Sequence, residues 1–100
     1  MLEAGVVVNT KGEPIHWHLP PDRSMIELPD DRDLWLLFWD NRADLVGFAH
    51  THPGSGIPSP SHTDLTTFTA IESGLGRRLH WWIASADHLV LYQWIGTTYV

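Results

Sequence analysis

No cysteine occurs anywhere in the 100 residues, and that absence limits what the chain can fold into more than any motif it carries. A chain this short buries a modest share of its surface, and small domains often add disulfides or thiolate-bound metals as support. Neither is open here, and neither is a thiol nucleophile. The fold must stand on burial alone. The material is present: 43% of residues are hydrophobic and 6 are Trp, each able to bury about 150–250 Å². That apolar fraction excludes intrinsic disorder. Six Lys and Arg against 12 Asp and Glu give a net charge of −6, which argues against nucleic acid as a partner, because a duplex binder carries a basic stripe. No apolar run approaches the roughly 20 residues needed to cross a bilayer, and Met1–Val8 lacks the basic start of a signal peptide. The expectation is a single domain over residues 1–100, cytoplasmic, with no membrane partner.

The chain alternates short apolar runs with turn chemistry. Gly5-Val6-Val7-Val8 and Ile15-His16-Trp17-His18-Leu19, joined by Asn9-Thr10-Lys11-Gly12, predict an antiparallel hairpin. Pro20-Pro21 ends it, and residues 20–29 read as a loop. Asp30 or Asp31 can cap a helix running from Asp33 to Arg42. Leu45 to His52 reads as a buried strand that runs into polar residues. Residues 53–60 are rich in Pro, Gly and Ser and form a loop. Ser61 opens a second helix with Leu65, Phe68 and Ile71 at helical spacing, stopped by Gly74 and Gly76. Leu79–Ala84 and His88–Trp94 are strands around a turn at 85–87, and the last four residues add a short edge. The expected fold is therefore α/β or α+β: a sandwich with a mostly antiparallel sheet flanked by two helices.

Chemistry concentrates in His50-Thr51-His52-Pro53 and Ser61-His62-Thr63-Asp64. On a strand, residues i and i+2 share a face, so His50 and His52 aim two imidazoles at one point. Asp64 lies in the first turn of the next helix, where the intervening loop can fold it back beside them. Two His and one Asp with a fourth position for water is the ligand set of a catalytic zinc. Hydrolysis also needs a base and an oxyanion donor. Ser61, three residues before Asp64, can supply the donor. Glu3, Glu13, Glu27 and Glu72 are the carboxylate candidates for the base; Glu3, at the entry of the first strand, is preferred and Glu27 is the fallback. Each feature also has a plain structural explanation. Ser61 and Asp64 fit a capping box, which is compatible with a metal role. His16 and His18 form a second i, i+2 pair, read as a solvated hairpin face because no carboxylate-and-serine pattern accompanies it. Trp35, Trp39, Trp81 and Trp82 are read as core. Trp81 and Trp82 are adjacent and must point to opposite faces, so one can meet solvent or a partner, a hint of a homodimer contact or of a peptide groove.

The arrangement His-x-His-Pro, a short loop, then Ser-x-x-Asp resembles the JAMM (MPN-plus, or JAB) zinc metalloprotease family. Glu3-Ala4-Gly5-Val6-Val7-Val8 resembles the glutamate at the entry of that family's first hairpin, and the order of helices and strands is similar along nearly the whole chain. The resemblance implies a cytidine-deaminase-like sandwich with Zn2+ held by His50, His52 and Asp64. It implies Glu3 as general acid/base and Ser61 as the residue that steadies the tetrahedral intermediate. It implies a metallopeptidase or isopeptidase whose protein or peptide substrates include the C-terminal tails of ubiquitin-like or sulfur-carrier proteins. The alternative is a non-catalytic scaffold of the same fold, which metal content would separate from the enzyme.

Overall fold

The computed structural model describes residues 2–100. The elements follow in the order β1 (Gly5–Asn9), β2 (Pro14–His18), α1 (Arg32–Asp40), β3 (Leu45–Thr51), α2 (His62–Leu75), β4 (His80–Ala84) and β5 (Leu89–Tyr92). The strands form one mixed sheet in the order β2-β1-β3-β4-β5. β1 pairs antiparallel with β2 and β3, and β4 with β5. β3 and β4 are parallel, because α2 carries the chain back across the sheet between them. The fold is thus mixed α and β with a mostly antiparallel sheet, as the residue pattern implies. Among the described residues no helix is long and apolar enough to cross a membrane.

Local chemistry sets the boundaries. The β1–β2 turn is closed by the Asn9 side chain, whose Oδ1 accepts from the backbone N–H groups of Lys11 and Glu13. Asp31, rather than Asp30, caps α1 by accepting from the Leu34 N–H at 2.8 Å. Gly76 ends α2 in the left-handed region at φ 69°, where a side chain is disfavoured. The carboxy-terminal residues add only an isolated bridge between Trp94 and Tyr99.

Register decides which face is the core. Val7 lies opposite Phe48, which lies opposite Trp81, and these three meet Leu34 and Phe38 of α1 and Phe68 and Ile71 of α2 in one cluster. Phe68 stacks on Trp81 with centroids 4.3 Å apart, and Phe38 meets Phe48 edge-on at 5.9 Å. Gly5 is required here, since a Cβ on it would lie 2.2 Å from Phe48 Cζ. Both helices therefore cover the same sheet face, so the two helices that flank the sheet form one layer. Trp81 is buried in that layer, whereas Trp82, on the far face, is only partly buried. Trp39 is 49% exposed, contrary to its assignment to the core. Its ring packs instead under the Arg42 guanidinium at 4.0 Å.

Candidate metal centre

The carboxyl end of β3 is held from both sides. Thr51 N–H donates to Ala4 O and His52 N–H to Ala84 O, at 2.9 and 2.8 Å, while the Thr51 hydroxyl accepts from Ala4 N–H. This clamp continues the strand geometry past His50, so His50 and His52 leave on the same side. His50 is buried; its ring stacks on Phe48 and meets Phe68 edge-on. The imidazole is thus oriented by packing before any ligand arrives.

The loop at 53–60 closes the arrangement because the β4–β5 turn pins it. Ser85 Oγ donates to Gly56 O at 2.6 Å, Asp87 Oδ1 accepts from Gly56 N–H at 2.8 Å, and Ala86 N–H donates to Gly54 O. Tyr92 OH donates to Pro58 O at 2.7 Å. Gly54 and Gly56 take φ values of 122° and 92°, which lets the chain reverse toward α2. Ser61 caps that helix in a full capping box: its Oγ accepts from Asp64 N–H at 3.0 Å, and Asp64 Oδ2 accepts from Ser61 N–H at 2.9 Å. The cap fixes the rotamer of Asp64 and points it at the histidines. Ser61 Oγ serves there as an acceptor, so its O–H proton is left to donate elsewhere.

The resulting geometry is tight. His50 Nε2 and His52 Nε2 are 3.1 Å apart, His52 Nε2 is 2.9 Å from Asp64 Oδ2, and His50 Nε2 is 3.3 Å from Asp64 Oδ1. Ligand atoms bound at 2.0–2.1 Å in a tetrahedron are separated by about 3.3 Å. Two imidazoles and one carboxylate at these separations fit a zinc-like ion in both donor chemistry and spacing. Glu3 stands beside them, with its carboxylate and one ring nitrogen from each histidine all within 4.8 Å of one another. Glu3 precedes Gly5 by two residues and so shares its core-side face; a hydrogen bond from Glu3 N–H to Ser24 O at 2.7 Å holds it in place.

The electrostatics separate the two carboxylates. Burial pushes Glu3 up to about 7, opposed by nearby His50 and assisted by the negative charges of Asp64 and Glu27. Burial also acts on Asp64, but the hydrogen bond and charge of His50, the Ser61 N–H and the charge of His52 outweigh it and hold the group at about 2. One acid is poised to exchange a proton near neutrality, and the other stays ionised.

Glu3, His50, Ser61 and Asp64 all line a cavity of about 330 Å³ between the helices and the sheet. Glu27 lies on the exposed part of its rim, outside the Glu3–histidine group. Glu72 sits near the other end of α2, and Glu13 is in the β1–β2 turn. His18 is the residue that the sequence reading misplaces. It is 3% exposed, lines the same cavity, and bonds Pro29 O through Nε2 at 2.6 Å. Its register partner Gly5 faces the core, and a register read from the hairpin pattern would have placed it there. In comparisons with known proteins, no family model and no curated protein matches the chain.

Proposed function

We propose that the protein is a zinc-dependent hydrolase of peptide or isopeptide bonds with a JAMM-type fold. The observation that carries the reading is the convergence of His50, His52 and Asp64 at 2.9–3.3 Å beside a buried glutamate that prefers its proton. In this reading His50, His52 and Asp64 hold the ion. Zinc supplies a Lewis acid that polarises a carbonyl and makes water acidic near neutral pH. Glu3 accepts the proton of the attacking water and hands it to the leaving amine, a role suited to a carboxyl whose pKa lies near 7. The Ser61 O–H donates to the oxyanion as the carbonyl becomes tetrahedral. Beyond this cluster the cavity wall is mixed, with Phe38, Phe48, Phe68 and Trp81 beside His18, Thr63 and Thr67. The substrate class is a protein or peptide with an extended carboxy-terminal tail, as in ubiquitin-like and sulfur-carrier proteins. Such a tail can add to an exposed sheet edge through main-chain hydrogen bonds.

Elemental analysis of purified protein, with zinc titration of chelated protein, tests this directly. One equivalent of zinc is expected for the parent and for Glu3→Gln, and none for a His50→Ala, Asp64→Ala double variant. Hydrolysis of a tail-fused reporter is expected for the parent alone. A parent that takes up no zinc would overturn the hydrolase and leave the scaffold of the same fold in its place.

A further inference from the structure

Among the described residues, no layer covers the face of the sheet opposite the helices. Register places Trp17, Val6, Ala49, Trp82 and Leu91 side by side, one from each strand in sheet order. The five strands contain no Asp, Glu, Lys or Arg at any position, although the chain as a whole carries −6. Trp17 is 63% exposed, Leu89 69% and Leu91 37%. With Val6, Val8 and Trp82, which are partly exposed, the face offers about 500 Å² of surface, in the upper part of what a monomer usually leaves open.

We infer that this face is a homodimer interface, in which two copies pack sheet to sheet about a two-fold axis. The contact is independent of the metal reading. A two-fold interface uses one patch on both partners, so the patch must complement itself. This one does. It carries a knob, Trp17 on the edge strand β2, and a groove of about 440 Å³ with Val8, Ala49, Trp82 and Leu89 along it and Asn9 and Thr10 at its polar end. Facing sheets stack about 10 Å apart with side chains interdigitated, which sets the knob of each copy against the groove of the other. Two copies would together bury about 1,000 Å², just below the range for stable interfaces, so the dimer is reversible rather than obligate. A lipid surface fits less well: the strands offer no basic residue, and a net negative chain is repelled by anionic headgroups.

Sedimentation velocity of the full chain from low micromolar to roughly 100 µM tests the inference. The parent is expected to shift from monomer to dimer across that range. Trp17→Glu and Leu89→Glu are each expected to raise the dissociation constant at least tenfold, with near-UV circular dichroism confirming that they fold. Leu89→Glu, on the opposite edge strand, probes the groove and keeps the test decisive if Trp17→Glu does not fold. Trp39→Glu, on the helical layer, is expected to leave association unchanged. A parent that stays monomeric throughout overturns the inference. So does a dimer that both sheet-face variants leave intact, or one that Trp39→Glu alone dissociates.

Discussion

Two glutamates are buried to nearly the same degree, Glu3 at 4% and Glu72 at 3% exposure, and their surroundings drive them in opposite directions. Glu72, near the carboxyl end of α2, is surrounded by donors. Oε2 accepts from Leu79 N–H at 2.8 Å and Trp81 Nε1 at 3.0 Å; Oε1 accepts from Arg78 at 2.8 Å and Tyr99 OH at 2.6 Å. Burial alone would raise its pKa, but these bonds outweigh burial and hold it below the ordinary value. Glu3 has burial with only the charge of His50 to offset it, and rises to about 7. Burial is therefore not what distinguishes a poised carboxyl from a structural one; the number of donors aimed at it is.

The sharpest way to break this comparison is to remove the same charge at each end of the molecule. Glu3→Gln removes the proton acceptor, so hydrolysis by the zinc-loaded protein should fall about 10²–10⁴-fold. Its thermal stability in metal-free form at pH 8 should equal or exceed that of the parent, because burying an ionised group without donors costs more than burying a neutral amide. Reporter turnover and a melting curve on the same sample read both. A large loss of stability with Glu3→Gln would place Glu3 in the structural class beside Glu72.

Glu72→Gln should do the reverse. All four neighbours of the carboxylate are donors, so the NH₂ of a glutamine must confront donors whichever way the amide is turned. We expect a loss of about 2–4 kcal/mol, the scale for breaking a buried charged hydrogen-bond network. Zinc uptake should be unchanged in the fraction that remains folded. Urea unfolding checks the first outcome, metal titration the second.

How legible each pole is in the sequence follows from the same physics. His50, His52 and Asp64 could be placed because strand alternation and a helix cap are local rules, each written within a few adjacent residues. Glu3 needed the hairpin topology, one level higher. Glu72 had no local signal beyond being a carboxylate among apolar neighbours in α2. Its donors come from Arg78, Leu79, Trp81 and Tyr99, which the return of the chain alone brings together. The helical layer was equally hidden: periodicity shows that α1 and α2 have buried faces but not that both choose the same side of the sheet. His18 and Trp39 run against their residue types for related reasons: polarity points His18 to solvent although its partner Gly5 faces the core, and size points Trp39 to the core although it lies on the outer side of α1.

A pH series sharpens the contrast. Glu72 has a folded pKa below its ordinary value of about 4.5. Its ionised form is bound more tightly in the folded state, so its contribution is fully present above that value and is lost as pH falls through the lower folded one. Asp64, held at about 2, loses its contribution in the same direction, so the parent alone cannot apportion the effect. The difference between the parent and Glu72→Gln can. It should be constant from pH 7 to about pH 5 and shrink steadily below about pH 4 as Glu72 takes up its proton. A difference independent of pH would mean that the carboxylate's charge contributes nothing to its bonds.

The smallest effect expected at this pole belongs to Tyr99, whose hydroxyl is one donor among four. Tyr99→Phe keeps the ring, which meets Phe68 and Trp94 edge-on at 5.4 and 5.2 Å, and removes the hydroxyl's bond to Glu72 Oε1 together with its interaction with exposed Thr69. That oxygen keeps Arg78 as a donor, so no buried acceptor is stranded and the loss should be about 1 kcal/mol. For a chain of this length that corresponds to roughly 4–8 °C in melting temperature. The hydroxyl also stabilises the ionised form of Glu72, so its removal should move the acid unfolding of the protein to higher pH. Melting curves at pH 7 and in the acid limb would separate the two consequences. A loss of equal size at neutral pH and in the acid limb would show that the hydroxyl acts independently of the charge on Glu72, leaving the depression of Glu72 to Leu79, Trp81 and Arg78.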